Sequence, residues 1–576
     1  MRLPEAPRPA DYHFDDVVVE GRNFRIRKRD QMRVLEPRAF DLLLYLIQHR
    51  GRVIDKEELF AQVWQRAFVT DSALTQSIKQ IRHVLGDDAN APRYIETVPK
   101  RGYCFIAVVN GEPQTTITKP SLSFDSLVVL PFANLNAESA LDYFVAGITD
   151  LLITDLGKIK ALKVISRTSA MQYQDAAKPL PQIAQELKVK AVVEGAVLRI
   201  GERVRVTVQL IEAATDQHVW AECYERDLCD ILSLQNELAA IIADKICVRL
   251  TPEEKARLAA RPQVAPEAYE AYLKGNYFLH KFIPGGPYKA IEQFQIALAK
   301  EPRYAAAQAG LADAYGHLGF WGLVPPTEIA PQVEALARQA LALDDTLAEA
   351  HTVWGKHKFY YELDRATARQ AFQRAFELNP NSIEACTINA LCLATMGQLE
   401  EALAEIKHAH ELDPLALPVS AIVGWHHYVL GRWEEAIDQW QQTLELEPGF
   451  TLSHWFLWRV YRLQGKFDEA MQEFSHLLML YPPPVIAAAQ AGYAQGGYQQ
   501  AMRQAAEQMA QLAQSRYLPP MHIAMLYAHA EAHEQAMDWL ERAYEQRDPK
   551  LIAAGVEPDW QRLQASPRWH SLLHRF

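Results

Sequence analysis

The sequence lacks an apolar segment long enough to cross a membrane. Apolar runs such as residues 42–46 are far shorter than the roughly 18 residues that a bilayer crossing requires. The first 14 residues carry arginines but no apolar stretch behind them, so no signal peptide is predicted. We therefore expect a cytoplasmic protein that has no membrane partner.

Cysteine is scarce, and the motifs of common enzyme sites are missing. The six cysteines include no C-x-x-C pair, which argues against a zinc site or a disulfide framework. The chain has no G-x-x-x-x-G-K-[ST] loop and no G-x-G-x-x-G after a strand. No nucleophile, base and orienting group can be assembled from the sequence. We therefore expect no enzyme activity, no cofactor and no metal.

Basic residues are fewer than acidic residues in the whole chain, but they are unevenly distributed. The net charge is −12 for the whole chain, yet residues 1–110 carry 18 Lys and Arg against 15 Asp and Glu, a balance of +3. The remainder therefore carries −15. A mildly basic head on an acidic body is compatible with nucleic-acid contact confined to the head.

The C-terminal half repeats with a period of 34 residues. Three residue types recur at this spacing: Pro380, Pro414, Pro448 and Pro482; Gly397, Gly431 and Gly465; Ala402, Ala436 and Ala470. A turn glycine, a small alanine that allows close helix packing and a terminating proline resemble the tetratricopeptide repeat, which has two antiparallel helices per unit. The resemblance covers about 280 residues.

The middle of the chain alternates strands and helices. SLVVLPF and LKVISR have the pattern of buried strands near helical segments, and AVVEGAVLRI, RVRVTVQLIEA and HVWAECYERD then form a predicted meander. This order indicates an α/β domain. Together with the words YFVAGITDLLITDL and VQLIEAATDQ, it resembles the TolB-like amino-terminal domain, which commonly precedes tetratricopeptide repeats in bacterial regulators and in some cyclases.

The first 110 residues predict short strands, three helices and a hairpin. Residues 35–51 have apolar positions at helical spacing; Asp55 is placed to cap a second helix, and Ser72 to start a third. Residues 94–105, YIETVPKRGYCF, have the form of a β-hairpin. The third helix should bury a single apolar stripe: Leu74, Ile78, Ile81 and Leu85. Three short helices followed by a basic hairpin indicate a winged helix-turn-helix.

Three sequence motifs make this interpretation more specific. L-x-P-x-x-F-D-L-L, V-T-D-S-A-L-T-Q-S-I-K-Q-I-R-H-V-L-G-D-D and Y-I-E-T-V-P-K-R-G-Y-x-F closely resemble the OmpR/PhoB-type effector domain. The amino-terminal placement without a receiver domain is similar to the CadC/ToxR or HilA arrangement, although no transmembrane helix follows. The resemblance implies binding of double-stranded DNA, RNA polymerase as a partner, and pairing of two copies on tandem half-sites.

Matching these motifs to the family's recognition helix and wing assigns the DNA contacts. The candidates are Thr75, Ser77, Lys79, Gln80, Arg82, Thr97, Lys100 and Arg101. Ser77 and Gln80 are expected to contact bases, and Lys79 and Arg82 mainly phosphates. The hairpin would bring Lys100 or Arg101 to the adjacent minor groove and Thr97 close to the DNA backbone. Arginine is frequent in the family where Gln80 stands, which leaves the preferred base open.

The repeats also predict a groove for a protein, a peptide or a small ligand. Its candidate residues, placed by the 34-residue register, are Thr387, Leu391, Trp425, Tyr428, Trp455, Arg459 and Arg462. Aromatic side chains beside arginines would suit an extended peptide or an acidic ligand. The alternative is that the tryptophans simply pack between repeats.

The sequence thus predicts a multidomain α+β protein. We expect a winged helix-turn-helix DNA-binding domain at 10–109, a linker at 110–122, an α/β TolB-like domain at 123–250, an all-α tetratricopeptide solenoid at 266–545 and a cap at 546–576. The leading hypothesis is a one-component transcriptional regulator. The alternatives are an interaction scaffold whose winged helix contacts polymerase or another protein, and an enzyme in the middle domain.

Overall fold

A computed structural model defines most of the chain. It describes residues 11–20, 25–28, 31–33, 35–50, 52–63, 71–89, 92–98, 102–107, 109, 124–136, 141–174, 178–228, 231–246, 250–259, 264–280 and 285–575. The chain divides into two compact units, residues 1–122 and 123–576, and each unit is described by itself.

The first unit contains two antiparallel sheets and three helices. One sheet has the order β1-β2-β3-β4, and the other has the order β5-β7-β6. The strands are β1 Asp11–Phe14, β2 Val17–Glu20, β3 Arg25–Lys28, β4 Gln31–Arg33, β5 Ile54–Asp55, β6 Ile95–Val98 and β7 Gly102–Phe105. The helices are α1 Pro37–Gln48, α2 Lys56–Val63 and α3 Asp71–Leu85. The predicted strands, helices and hairpin are confirmed.

Local sequence explains where these helices lie. Asp55 caps α2 as predicted, because its Oδ1 accepts the backbone N–H of Glu58 at 2.7 Å. Helix α3 begins at Asp71, one residue before the predicted start. The predicted stripe on α3 is buried, with every member no more than 2% exposed: Leu74, Ile78, Ile81 and Leu85. Burying this face leaves the opposite face of α3 to solvent.

The second unit begins with a mixed sheet covered by helices. Its strand order is β10-β8-β11-β12-β13, with β9 paired to β11; β10, β8 and β11 are parallel, and β11, β12 and β13 form an antiparallel meander. The strands are β8 Ser126–Val129, β9 Ala133–Asn134, β10 Lys163–Val164, β11 Ala191–Ile200, β12 Arg203–Glu212 and β13 Gln217–Asp227. The helices are α4 Asp142–Gly157, α5 Arg167–Met171, α6 Leu180–Leu187, α7 Ile231–Lys245 and α8 Pro252–Ala259.

A series of helical hairpins follows. The helices are α9 Pro266–His280, α10 Gly286–Lys300, α11 Ala305–Phe320, α12 Pro326–Leu343, α13 Ala348–Tyr360, α14 Arg365–Leu378, α15 Ile383–Thr395, α16 Leu399–Leu412, α17 Leu417–Val429, α18 Trp433–Leu446, α19 Thr451–Leu463, α20 Phe467–Ser475, α21 Pro483–Leu512, α22 Pro520–His529, α23 His533–Glu545 and α24 Pro567–Leu573. Two 3-10 helices, Pro549–Ala553 and Pro558–Leu563, lie between α23 and α24.

The repeat residues have the roles that the 34-residue period predicts. Gly397, Gly431 and Gly465 turn the chain between paired helices with φ of 81°, 73° and 73°, which favours glycine. The repeated alanines Ala402, Ala436 and Ala470 are completely buried. The repeated prolines follow the second helix of a pair. The C-terminal region is therefore a solenoid of tetratricopeptide-like helical hairpins.

Close helix packing inside a repeat yields a testable prediction. A Cβ on Gly424 of α17 would lie 2.3 Å from Nε1 of the fully buried Trp440, whereas a Cβ on Gly316 of α11 would meet open space. Gly424→Ala should therefore destabilise the protein by about 1–3 kcal/mol through overpacking. Gly316→Ala, the matched control, should stabilise it by up to about 1 kcal/mol because alanine favours a helix. Thermal melting checks both, and an unchanged Tm for Gly424→Ala would contradict the packing.

Candidate nucleic-acid interface and ligand cavity

The exposed face of α3 carries a polar stripe. Thr75, Gln76, Lys79 and His83 are exposed, and their spacing of about one helical turn places them on one side of the helix. Gln80 is half-buried at one edge of this stripe, whereas Ser77, also half-buried, lies closer to the buried face of the helix. The structure thus places three of the predicted DNA-contacting side chains, Thr75, Lys79 and Gln80, on or beside one accessible surface. Gln76 and His83 were not predicted, although their spacing from Gln80 and Lys79 could have identified them.

Arg82 is predicted to contact a DNA phosphate, but in the structure its guanidinium makes hydrogen bonds inside the domain. Its side chain is 12% exposed, and its Nη2 donates to the backbone oxygen of Ile95 and to Oγ1 of Thr97, both at 2.8 Å. Both acceptors lie on β6, so the guanidinium connects α3 to the hairpin. Thr97 is exposed, but its hydroxyl oxygen already accepts this bond.

Asp87 makes a second connection between α3 and the hairpin. Its carboxylate accepts the backbone N–H groups of Arg93 at 2.7 Å, Tyr94 at 3.2 Å and Ile95 at 3.0 Å. Asp87 follows Gly86, whose φ of 68° turns the chain at the end of the helix. The start of β6 is therefore fixed relative to the end of α3.

Two basic side chains of the first sheet also act inside this unit. Lys28 donates to the backbone oxygen of Leu85, and Arg33 donates to that of Val84 at 2.8 Å. The last carbonyls of a helix have no donor within the helix, and a cation there also favours the helix dipole. Part of the positive charge of the head thus stabilises α3.

A glycine allows the hairpin to lie close to β5. Gly102 has a φ of 151°, and a Cβ at this position would lie 1.8 Å from the backbone oxygen of Ile54. No other residue fits this approach. The predicted contacts Lys100 and Arg101 lie outside the described residues.

The predicted ligand groove of the repeats is filled by the chain's own C-terminal segment. Nε1 of Trp425 donates to Glu557 at 3.0 Å, and Nε of Arg459 donates to Asp559 at 3.0 Å. The hydroxyl of Tyr428 donates to the same Asp559 carboxylate at 2.5 Å. All of these side chains are buried. An external ligand cannot reach these positions while the segment is in place.

The other predicted groove residues fall into different environments. Trp455 is 7% exposed and stacks on Tyr481, with ring centroids 5.8 Å apart, so it packs between repeats. Leu391 is half-buried against the solenoid core, and Arg462 is half-buried. Thr387 lines the cavity described below.

The buried acid Asp559 and its neighbours form a charge network. Burial by itself would raise the pKa of Asp559, but the Arg459 guanidinium and a hydrogen bond from His529 hold it well below its usual range. His529 is satisfied as a neutral ring, because its Nδ1 faces the hydroxyl of Tyr498 at 2.8 Å and its Nε2 faces Asp559 at 3.2 Å. Burial, with repulsion from Arg462, lowers the pKa of His529 to about 4.

A cavity of about 1400 Å³ lies between the mixed sheet with its helices and the repeats. Residues from α4 and α5 line one side, and residues from α11, α13 and α15 line the other. Its lining carboxylates are Asp142, Asp150, Glu194, Asp313, Glu349, Glu384 and Asp413, and its lysine and arginine residues are Arg167 and Lys178. Within the described part of the chain, Oε2 of Glu349 is buried without a hydrogen-bond partner, and burial raises the pKa of this carboxyl.

Two residues at the ends of consecutive repeats join the repeats to the α/β part beside this cavity. Asn381 donates to the backbone oxygens of Gly157 at 2.9 Å and Leu162 at 3.0 Å. The Asp413 carboxylate accepts the backbone N–H of Ser169 at 3.1 Å and its hydroxyl at 2.6 Å. The repeats and the α/β part are therefore joined by specific hydrogen bonds on the rim of the cavity.

One further cluster has metal-ligand chemistry but is already neutralised. The side-chain ligand atoms of Glu334, His357 and Glu362 lie within 4.8 Å of one another. However, Arg338 pairs with Glu334 at 2.9 Å, and Lys358 pairs with Glu362. These side-chain cations form ion pairs with the carboxylates that a metal ion would need as ligands.

The fold of the first unit now defines its class. A helix with an exposed polar stripe, joined to a following β-hairpin and sharing one hydrophobic core with two earlier helices, is a winged helix-turn-helix. None of the described helices has both the length and the apolar character that a bilayer crossing needs.

Comparison with known families identifies this domain more closely. Residues 30–105 match the family "Transcriptional regulatory protein, C terminal", and residues 123–241 match the "HilA/YgeH-like transcriptional regulator, second domain". The first unit therefore contains a DNA-binding winged helix of the OmpR/PhoB type. The middle domain matches a domain of HilA-like regulators, and its TolB-like character stays a prediction.

Individual relatives cover different parts of the chain. The chain is 46% identical over 80 residues to the transcriptional activator CadC of Escherichia coli, covering 14% of this chain and 16% of CadC. It is 21% identical over 410 residues to the transcriptional regulator HilA of Salmonella typhi, covering 69% of this chain and 70% of HilA. It is 33% identical over 228 residues to a putative adenylate cyclase 3 of Rhizobium meliloti, covering 39% of each. The chain thus spans about two fifths of the cyclase and a sixth of CadC.

The neutral, buried His529 predicts a pH dependence of stability. Its folded pKa of about 4 lies below the ordinary 6.5. The unfolded chain therefore binds more protons between these values, and stability is lost as pH falls from about 6.5 towards 4. At pH 5 the loss should be of order 2 kcal/mol.

Melting curves of the full chain at pH 7 and pH 5 test this dependence. His529→Gln should narrow the difference in Tm between the two pH values, because glutamine can make both hydrogen bonds without titrating. His408→Gln, which replaces an exposed histidine of α16, is the matched control and should behave as the wild type. An equal pH dependence in His529→Gln and the wild type would refute the assignment.

Proposed function

We propose that this protein is a one-component transcriptional regulator that binds specific double-stranded DNA through its winged helix. The observation that carries the proposal is the exposed polar stripe on α3, joined by Arg82 and Asp87 to the hairpin, in a domain of OmpR/PhoB type. A helix of this kind fits the major groove, where short polar side chains reach base edges. The relatives CadC and HilA, which are named as transcriptional regulators, support the same assignment.

The positions on the stripe suggest separate roles. Gln80 and Ser77 are assigned to bases, with Gln76 as a further base-contacting candidate. Lys79, which is exposed, is assigned to a DNA phosphate. Thr75 is assigned to the DNA backbone beside Lys79. The protein would act in the cytoplasm with RNA polymerase as a partner, and two copies would bind tandem half-sites.

The roles of Lys79 and Gln80 can be distinguished by the salt dependence and the base preference of DNA binding in their variants. Lys79→Ala should weaken binding to all sequences alike and reduce the slope of log affinity against log salt by about 0.9. Gln80→Ala should instead relax the preference at one base pair, by about 1–3 kcal/mol. Titration of the full chain against DNA selected by the wild type from a random pool measures both.

The matched control is Lys407→Ala, which removes an exposed lysine of α16 and should leave binding unchanged. If Lys79→Ala and Gln80→Ala behave identically, the role assignment is wrong. If the wild type selects no sequence at any salt concentration, the winged helix instead serves a scaffold that contacts polymerase or another protein.

The proposal includes an input site in the second unit. We infer that a small ligand or a peptide end binds the 1400 Å³ cavity, and that the α/β domain, TolB-like in character, transmits the signal. The volume, the unpartnered oxygen of Glu349 and the position of Thr387 in the lining support this placement. The aromatic positions around Arg459 are not part of the proposed site, because the C-terminal segment fills them.

Filling the cavity tests this input site. Thr387 donates only to its own helix among its described hydrogen bonds, so Thr387→Trp should fold and place an indole in the cavity. A reporter driven by a bound promoter should then lose its response to culture conditions that change the wild-type output, while DNA affinity in vitro stays unchanged. Lys407→Trp, on the exposed face of α16, is the control. A normal response in Thr387→Trp would contradict the input site.

A further inference from the structure

The guanidinium of Arg82 faces the hairpin. Nη2 lies 2.8 Å from both the backbone oxygen of Ile95 and Oγ1 of Thr97, two acceptors that are two residues apart on β6. A single nitrogen with two hydrogens can serve both acceptors at once. The charged donor makes each of these bonds stronger than a neutral one.

The surroundings of Arg82 strengthen this connection. Nε lies 3.9 Å from the buried carboxylate of Asp87, which itself binds three backbone N–H groups at the start of β6. Arg82 and Asp87 therefore fix the same strand from two directions. Each residue contacts it at Ile95, through the carbonyl for Arg82 and through the N–H for Asp87.

A direct contact with DNA phosphate does not suit this geometry. The Arg82 side chain is 12% exposed, whereas Lys79 stands on the exposed stripe. A phosphate would have to compete with bonds that Nη2 already makes inside the domain. If those bonds broke, the link between α3 and β6 would be lost.

We propose that Arg82 is a positioning residue that fixes the angle between the recognition helix α3 and the β6–β7 wing. This inference rests on the proposed DNA-binding function. With the angle fixed, the helix in the major groove and the wing in the adjacent groove bind as one preorganised surface. Binding of the helix then brings the wing to its groove without a further ordering cost.

Charge-conserving substitution separates positioning from phosphate contact. Lysine keeps the charge of Arg82 but lacks the planar fork that reaches both acceptors. Arg82→Lys and Arg82→Met should therefore weaken binding of the full chain to wild-type-selected DNA equally, by about tenfold, the factor that corresponds to one charged hydrogen bond. Near wild-type affinity in Arg82→Lys, with a loss only in Arg82→Met, would overturn the proposal.

A double-substitution cycle with the hairpin tip gives a second readout. Arg101→Ala should weaken the wild type, and this effect should shrink towards none in the Arg82→Met background, because the wing is then no longer held in place. For the Arg82→Met variant, hydroxyl-radical footprinting should show lost protection in the groove that the wing contacts. Methylation protection in the major groove, measured separately, should remain. Additive effects of the two substitutions would overturn the proposal.

Two controls keep the outcome decisive. If Arg82→Met fails to fold, both protections disappear together, and Thr97→Val, which removes one acceptor only, replaces it in the cycle. Thr97→Val should lose less affinity than Arg82→Met and show the same reduced effect of Arg101→Ala. If the wild type itself gives no footprint, the proposed DNA binding fails rather than the role of Arg82.

Discussion

Three backbone N–H groups bound by one carboxylate join the recognition helix to the wing. Asp87, just beyond the end of α3, accepts them from Arg93, Tyr94 and Ile95, and Arg82 of α3 donates to the carbonyl of Ile95. Because α3 buries its apolar side, its polar side and the hairpin are presented together. The relative placement of the exposed stripe of α3 and the hairpin therefore depends on polar contacts inside the domain.

The second unit uses polar contacts in a similar way. Asn381 and Asp413, at the ends of consecutive repeats, bind the backbone of the α/β part and enclose the cavity. At the other end of the solenoid, Asp559 pairs with Arg459 and completes the last repeats. The helical packing sets the shape of the solenoid, and these side chains attach the α/β part and the C-terminal segment to it.

The sequence predicted the features that depend on local spacing. The stripe of α3, the cap at Asp55 and the repeat glycines follow from neighbouring residues, and the structure confirms them. That the chain itself fills the predicted groove around Arg459 could not be predicted, because the partner Asp559 lies 100 residues away in sequence. The sequence likewise showed a charge at Arg82 but not that β6 would turn back to accept its hydrogen bonds.

Genome-wide occupancy of the tagged full chain tests the central claim most directly. The wild type should occupy discrete promoter sites that share a sequence motif. A variant with alanine at Gln76, Lys79 and Gln80 should lose these sites while keeping its cellular level and its melting temperature. Occupancy of the same sites by that variant, or no enriched site for the wild type, would contradict the account.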